Sequence, residues 1–257
     1  WMGIGFVHGV MNTDNSTISG ETIDFGPCAF LEEYEKQKVF SSIDIYGRYS
    51  FSNQPKIMQW NLSKLAESII RIIDKDDVNL GIKKAEKIIN EFPFIFRNEW
   101  MKVMRKKFGL SKIKEEDETL FKSLLNIMEM NKSDFTSTFR KLKYLLPGQD
   151  DNKWKSLFKN NKDSQLLEWI YNYQKRLSYE MSTANNIKNK INSNNPSIIP
   201  RNHNIQKIID NALNGNFESF HHFDKLLKKP FSSTTEKSSF STPALPNEII
   251  KETFCGT

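Results

Sequence analysis

Apolar side chains recur at helical spacing along most of the chain after Asn61. Apolar residues every three or four positions form one face of a helix, so this pattern predicts a series of amphipathic helices. The first breaks at the acidic stretch 74–77, the second ends before Pro93, and the third stops at Gly109. Further helices are predicted at about 114–130, 135–146, 167–181, 204–213 and 216–228.

Three stretches depart from this pattern. The first 60 residues are rich in glycine and small polar residues, which predicts two short strands, Ser16–Ser19 and Glu21–Asp24, turning at Gly20. Residues 184–195 are mostly Asn and Lys and predict a loop or a frayed helix end. Residues 232–254 predict an extended, partly mobile tail. The fold class expected is therefore mainly α (α+β overall), with a short β-hairpin near its start.

Composition narrows the class of protein. The chain has 257 residues, 38% of them hydrophobic and 12% aromatic, which is enough to bury a sizeable core. Its 37 basic and 31 acidic residues are interspersed, which favours a solvated surface over a nucleic-acid interface. Apolar runs are too short for a membrane span. The two cysteines, Cys28 and Cys255, do not make a disulfide framework, so a reducing compartment is expected.

Candidate chemistry lies around the predicted hairpin. Asp14 and Asn15 leave it at one end and Asp24 returns to that end, so the out-and-back path predicts that Asn15 and Asp24 are neighbours. Carboxylate and amide oxygens suit Mg²⁺, which takes few protein ligands and completes its shell with water and phosphate. The tripeptide 24–26, Asp-Phe-Gly, is also the kinase-type magnesium motif. The same residues are ordinary turn formers, so a plain loop remains open on composition alone.

Two blocks of this region resemble the selenoprotein O family. They are Phe6-Val7-His8-Gly9-Val10-Met11-Asn12-Thr13-Asp14-Asn15 and Ile23-Asp24-Phe25-Gly26-Pro27. Further similar segments run the length of the chain, at 47–49, 53–55, 60–62, 65–66, 134–136, 195–196, 199–203 and 255–257. The resemblance thus covers essentially the whole sequence.

The resemblance implies a protein-kinase-like fold that transfers AMP from ATP to Ser, Thr or Tyr hydroxyls of proteins, releases pyrophosphate and is linked to redox homeostasis. By similarity, Asp14 is the catalytic base. Asn15 and Asp24 would hold Mg²⁺ or Mn²⁺, with Asp24 also serving the bound nucleotide. The expected partners are ATP and protein substrates, without nucleic acid or membrane insertion. The expected compartment is mitochondrial in a eukaryote and cytoplasmic in a bacterium.

The resemblance also sets expected boundaries. Residues 1–231 would be the C-terminal lobe of the kinase-like domain, without its N-terminal lobe, and residues 232–257 an extended tail. The family's nucleotide-clamping Lys, its paired Glu and further phosphate-binding Arg residues would lie upstream. We therefore expect residues 1–257 alone to be inactive, and activity to belong to the intact protein.

Cys255 occupies the position at which the family is thought to form a redox link with a cysteine nearer the active site. That partner position falls at Phe40 here, and Cys28 is the other thiol of the chain. A Cys28–Cys255 bridge is therefore a hypothesis.

Two other functions remain open. A conventional protein kinase is disfavoured because its base Asp precedes its metal-binding Asn by five residues, whereas Asp14 and Asn15 are adjacent. A catalytically inactive nucleotide-binding scaffold is the second alternative. His8 is expected to be a hydrogen-bonded core residue and not a general base.

Overall fold

The structure is a computed structural model that describes residues 1–254. Close contacts divide it into two compact units. Unit 1 comprises residues 1–6, 29–36 and 102–251, and unit 2 comprises residues 7–28, 37–101 and the C-terminal stretch from 252. Both are built mainly from helices, which confirms the mainly α prediction. No helix among the described residues is long and apolar enough to cross a membrane.

The regular elements are short strands and helices of very different length. Strands β1 (Phe6–Val7) and β2 (Ala29–Phe30) form a two-stranded sheet. The helices are α1 (Gln54–Ser68), α2 (Ile70–Ile73), α3 (Val78–Lys107), α4 (Asp117–Asn131), α5 (Phe135–Arg140), α6 (Asn152–Lys155), α7 (Ser164–Ser178), α8 (Ala184–Asn194), α9 (Asn202–Leu213) and α10 (Glu218–Leu227). Single 3-10 turns lie at Thr13–Asn15, Phe51–Asn53, Lys141–Leu145, Thr235–Lys237 and Ser239–Ser241.

The predicted hairpin was wrong. Ser16–Ser19 and Glu21–Asp24 are irregular, and a tight turn joins the Gly20 N–H to the Thr17 carbonyl at 3.2 Å. The Thr17 hydroxyl also accepts the Ser19 N–H at 3.1 Å. Such local side-chain bonds occupy backbone groups that a strand ladder would need.

Helix α3 also differs from prediction. The two helices expected on either side of Pro93 are one continuous helix of 30 residues with the proline inside it. Proline cannot donate a hydrogen bond to the carbonyl four residues earlier, here that of Ile89. The side-chain amide of Gln59 on α1 donates to that carbonyl instead, at 3.1 Å. A polar side chain from another helix thus replaces the bond that the proline removes.

The Asn- and Lys-rich stretch predicted as a loop or frayed end is helix α8. Thr183 caps it, since its hydroxyl accepts the Asn186 N–H at 3.2 Å. Ile187 and Ile191, one turn apart, are buried. The cap and this apolar pair outweigh the low helix propensity of asparagine.

The core of unit 1 is aromatic. The ring of Phe108 lies 4.5 Å from that of Phe121 and 5.8 Å from those of Phe139 and Tyr173, measured between centroids. The polar atoms of the buried rings have partners: the Tyr173 hydroxyl donates to the Phe108 carbonyl at 2.9 Å, and the Trp169 indole donates to the Leu120 carbonyl at 2.9 Å. Unpaired, these groups would each destabilise the fold.

Two buried carboxylates of unit 1, Asp117 and Glu180, are held in one network with arginine. The Asp117 carboxylate, fully buried, accepts hydrogen bonds from the Arg105 Nε at 2.8 Å and from the Arg176 Nε at 2.6 Å. Glu180 accepts from Arg176 and from the N–H groups of Ser111 and Lys112. Removing one partner would leave an uncompensated buried charge, which typically costs about 3–5 kcal/mol.

The segment 232–254 runs through both units. Within unit 1, its Glu236 forms ion pairs with Arg140 and Lys143 of the α5 region. The Thr235 hydroxyl, also buried, lies against the Ser197 hydroxyl. This part of the segment is therefore fastened by side-chain contacts.

We predict that the Gln59 contact stabilises α3 only because Pro93 is present. Gln59→Leu removes the donor to the Ile89 carbonyl and should lower the free energy of unfolding by about 1 kcal/mol. In a Pro93→Ala background the backbone N–H restored at position 93 can bond that carbonyl, so Gln59→Leu should then have almost no effect. Urea unfolding of the four variants measures this coupling.

Lys56→Ala, an exposed change on the same helix, is the control for general effects on α1. An equal cost of Gln59→Leu with and without Pro93 would show that the amide does not compensate for the proline.

Candidate active site

The loop that carries the predicted site residues begins at His8, which is fully buried. Its Nε2 lies 2.7 Å from the Ile23 carbonyl and therefore carries the proton, while Nδ1 accepts the Val10 N–H at 3.4 Å. Both ring nitrogens thus form hydrogen bonds to backbone groups of the loop. The expectation that His8 is a hydrogen-bonded core residue is confirmed.

The two arms of the loop approach each other closely where Gly9 meets Pro27. Gly9 has φ +88°, and a Cβ placed on it would lie 2.8 Å from the Pro27 carbonyl oxygen. A side chain at this position would meet backbone that cannot move aside and would strain φ as well. Glycine therefore permits the outgoing arm, 8–15, to lie against the returning arm, 22–28.

Helix α1 holds the outgoing arm. Gln54 and Asn61 lie two turns apart on one face of α1. The Gln54 Oε1 accepts the His8 N–H at 3.0 Å, and the Asn61 Nδ2 donates to the Met11 carbonyl at 3.1 Å and the Ser16 hydroxyl at 2.7 Å. Two amide side chains of a single helix thus fix both ends of this arm.

The predicted base and one predicted metal ligand share a 3-10 turn, Thr13–Asn15. Asp14 is exposed, and Asn15 is half-buried. The Asn15 Nδ2 donates to the Val10 carbonyl at 3.1 Å. The amide nitrogen is therefore used within the loop, and Oδ1 is the side-chain atom that could bind a cation.

The second predicted ligand, Asp24, lies on the returning arm and is exposed. Its φ of +54° is left-handed, a conformation that aspartate tolerates better than most residues. The neighbouring Ile23 carbonyl is held by His8, and Pro27 lies against Gly9. Asp24 therefore lies between two points at which the returning arm is fastened to the outgoing one.

The chemistry of these donors fits a hard cation. The Asp24 carboxylate and the Asn15 amide oxygen are too few for a dedicated protein cage, but they suit Mg²⁺ or Mn²⁺ bound together with a phosphate. No group of three or more His, Cys, Asp or Glu side chains within residues 1–254 is arranged to hold a metal ion.

Arg48 is a cationic residue of the same unit that is not among the predicted site residues. It belongs to the segment 47–49, which resembles the selenoprotein O family. The Arg48 guanidinium is 4.7 Å from the centroid of the Trp60 ring, and the neighbouring Tyr49 hydroxyl donates to the Asn12 Oδ1 at 2.5 Å. Arg48 is exposed and connected to the outgoing arm through Tyr49, so it is a candidate phosphate contact. Arg48 lies near the outgoing arm because Tyr49 contacts Asn12, 37 positions away in sequence. Local sequence patterns do not reveal such a contact.

The structure describes one of the two predicted redox cysteines, Cys28. Cys28 is half-buried on the returning arm, and its Sγ donates to the Phe25 carbonyl at 3.5 Å. Burial, assisted by the charge of Asp24, raises the pKa of the Cys28 thiol, which makes it less reactive at neutral pH. Phe40 is a core residue, 3% exposed. Cys255 lies outside the described residues, and the Cys28–Cys255 bridge stays a prediction.

These observations describe a mainly helical protein with a closed loop on which Asp14 and Asp24 are exposed. Comparison with known families identifies the family of the chain: the family model described as protein adenylyltransferase SelO matches residues 1–229. The chain belongs to the SelO family.

Curated relatives extend the match to the whole chain. Proteins named protein nucleotidyltransferase YdiU are 40% identical over 260 residues in Bradyrhizobium diazoefficiens, 41% over 260 in Agrobacterium fabrum and 40% over 258 in Bacillus anthracis. Each alignment covers 100% of this chain but only 52%, 52% and 51% of the respective relative. The chain thus spans about half the length of the curated relatives it matches.

We predict that Asn61 controls the order of the 3-10 turn. Asn61→Asp keeps the shape of the side chain but replaces the amide that donates to the Met11 carbonyl with a carboxylate, which only accepts and is repelled by that oxygen. Hydrogen exchange at residues 11–16 should accelerate about 10-fold or more, as expected for the loss of one buried hydrogen bond with repulsion added.

Glu67→Gln, an exposed charge change on the same helix, is the matched control and should leave exchange unchanged. Wild-type exchange in Asn61→Asp would show that α1 does not hold the turn.

Proposed function

We propose that the intact protein is a nucleotidyltransferase that transfers AMP from ATP to Ser, Thr or Tyr hydroxyls of proteins and releases pyrophosphate. Membership of a family whose model is described as a protein adenylyltransferase supports this proposal, as does the name nucleotidyltransferase of the relatives. The observation that carries it is the closed loop 8–28, in which Asn15 keeps its Oδ1 for a cation and Asp14 and Asp24 are exposed.

In this proposal each residue has a separate role. Asp14 accepts the proton of the attacking hydroxyl, a contribution of about 10²–10⁴-fold for a positioned base. Asn15 and Asp24 would hold Mg²⁺ or Mn²⁺, and Asp24 also orients the nucleotide through the metal-bound phosphates. The bound cation supplies neutralisation of charge on the phosphates during transfer. The exposure of both aspartates supports these roles, because substrate must reach them.

Fastening of the loop supports the same function. Transfer at phosphorus depends on positioning more than on covalent chemistry by the protein. The His8, Gly9 and Asn61 contacts order the loop before any ligand binds. A preordered loop avoids the entropy that a mobile one would lose on binding.

We further propose that residues 1–231 form the C-terminal lobe of a kinase-like domain and residues 232–257 its tail. The relatives are about twice as long as this chain, so the remaining nucleotide contacts would come from the part that the chain does not include. We therefore expect residues 1–257 alone to give no robust AMP transfer. A link to redox homeostasis through Cys255 and Cys28, and the expected compartments, remain predictions.

The test is to supply the intact protein with ATP labelled at either the α- or the γ-phosphate. An adenylyltransferase moves the α-label to protein, whereas a kinase moves the γ-label. Asp24→Asn keeps the backbone conformation because asparagine also tolerates positive φ, so it removes the charge alone. We expect it to lower α-label transfer by about 100-fold or more, as expected for loss of one charge-stabilising group in an active site.

Glu21→Gln, an exposed acidic residue in the same loop, should retain wild-type transfer. Transfer of the γ-label would establish a kinase, and no transfer with any divalent metal would favour the inactive scaffold.

A further inference from the structure

The described C-terminal residues contact the returning arm of the candidate site. Thr253 pairs with Ser41 as a single parallel bridge. The Thr253 N–H donates to the Phe40 carbonyl at 2.7 Å, and the Ser42 N–H donates to the Thr253 carbonyl at 3.3 Å. These backbone bonds fix residue 253 beside the segment 40–42, whatever its side chain.

The side chain of Thr253 adds a different contact. Its hydroxyl donates to the carbonyl of Pro27, a buried residue on the returning arm. The same carbonyl oxygen is the atom that Gly9 approaches from the other arm. A buried carbonyl deprived of its donor destabilises the local structure, so this hydroxyl stabilises the junction of the two arms.

Asp24 lies three residues before Pro27 in a left-handed conformation. Gly26 and Pro27 connect it to the Thr253 contact, and His8 holds the preceding residue, Ile23. Loosening of Pro27 would therefore free one of the two fastened points between which Asp24 lies. The Thr253 hydroxyl thus contacts the arm that carries a candidate metal ligand from 226 positions away in sequence.

We propose that Thr253 is a positioning residue: the C-terminal segment 252–254 holds the returning arm 22–28 through the Thr253 hydroxyl and so sets the position of Asp24 for cation binding. The metal-binding part of this inference rests on the proposed function. The contact between the tail and the returning arm does not.

The test separates the hydroxyl from the backbone bridge in the full-length polypeptide. Thr253→Val keeps the shape and both backbone bonds but removes the donor to Pro27. Thr253→Ser retains that donor. Glu252→Gln, an exposed neighbour, controls for changes in the tail. Two measurements are compared: hydrogen exchange of residues 22–28, and the Mg²⁺ concentration that gives half-maximal AMP transfer.

For Thr253→Val we expect exchange of residues 22–28 to accelerate and the Mg²⁺ requirement to rise, each about 2- to 10-fold, the range for one net hydrogen bond. The maximal rate at saturating Mg²⁺ should stay within about 2-fold of wild type, because binding and not chemistry is affected. Thr253→Ser and Glu252→Gln should behave as wild type in both measurements.

Wild-type exchange in Thr253→Val would overturn the inference. Faster exchange with an unchanged Mg²⁺ requirement would overturn the positioning role. If exchange accelerates in Thr253→Val alone but no protein, wild type included, transfers AMP, the contact with the returning arm is upheld and the proposed function fails. The exchange readout thus distinguishes the two failures.

Discussion

The close approach of Gly9 to Pro27 is the constraint on which the candidate site depends. Because a Cβ at position 9 would lie 2.8 Å from the Pro27 oxygen, the two arms can meet only with glycine there. Around this point the other contacts of the loop are arranged: His8 to Ile23, Asn15 to Val10, and Thr253 to the same Pro27 carbonyl. All bind backbone, so they fix the path of the loop and leave the exposed aspartates for chemistry.

Helix α1 and the buried polar groups show how the surrounding structure supports this loop. Amide side chains of α1 bond backbone groups of other segments: Gln54 and Asn61 bond the loop, and Gln59 bonds the Ile89 carbonyl, to which Pro93 cannot donate. Each such bond contributes only about 1 kcal/mol net, but an unpaired buried group costs more than its bond contributes. The loop is therefore ordered by several weak hydrogen bonds and not by one strong contact.

Sequence patterns predicted the helical class and most helices, because apolar spacing acts locally. They failed where a distant residue decides the outcome. The continuity of α3 through Pro93 depends on Gln59. The positions of Arg48 and Thr253 beside the loop likewise follow from long-range contacts that no local pattern contains. The predicted strands failed for a local reason instead, because Thr17 accepts the Ser19 and Gly20 N–H groups.

We propose that the closed loop is the cation-binding half of a nucleotidyltransferase site. The most direct test is to measure Mn²⁺ binding to the intact protein by electron paramagnetic resonance, in the presence of a non-hydrolysable ATP analogue. Asp24→Asn should weaken Mn²⁺ binding by at least about 10-fold, whereas Glu21→Gln should leave it unchanged. Equal Mn²⁺ affinity in the wild-type protein and Asp24→Asn would contradict it.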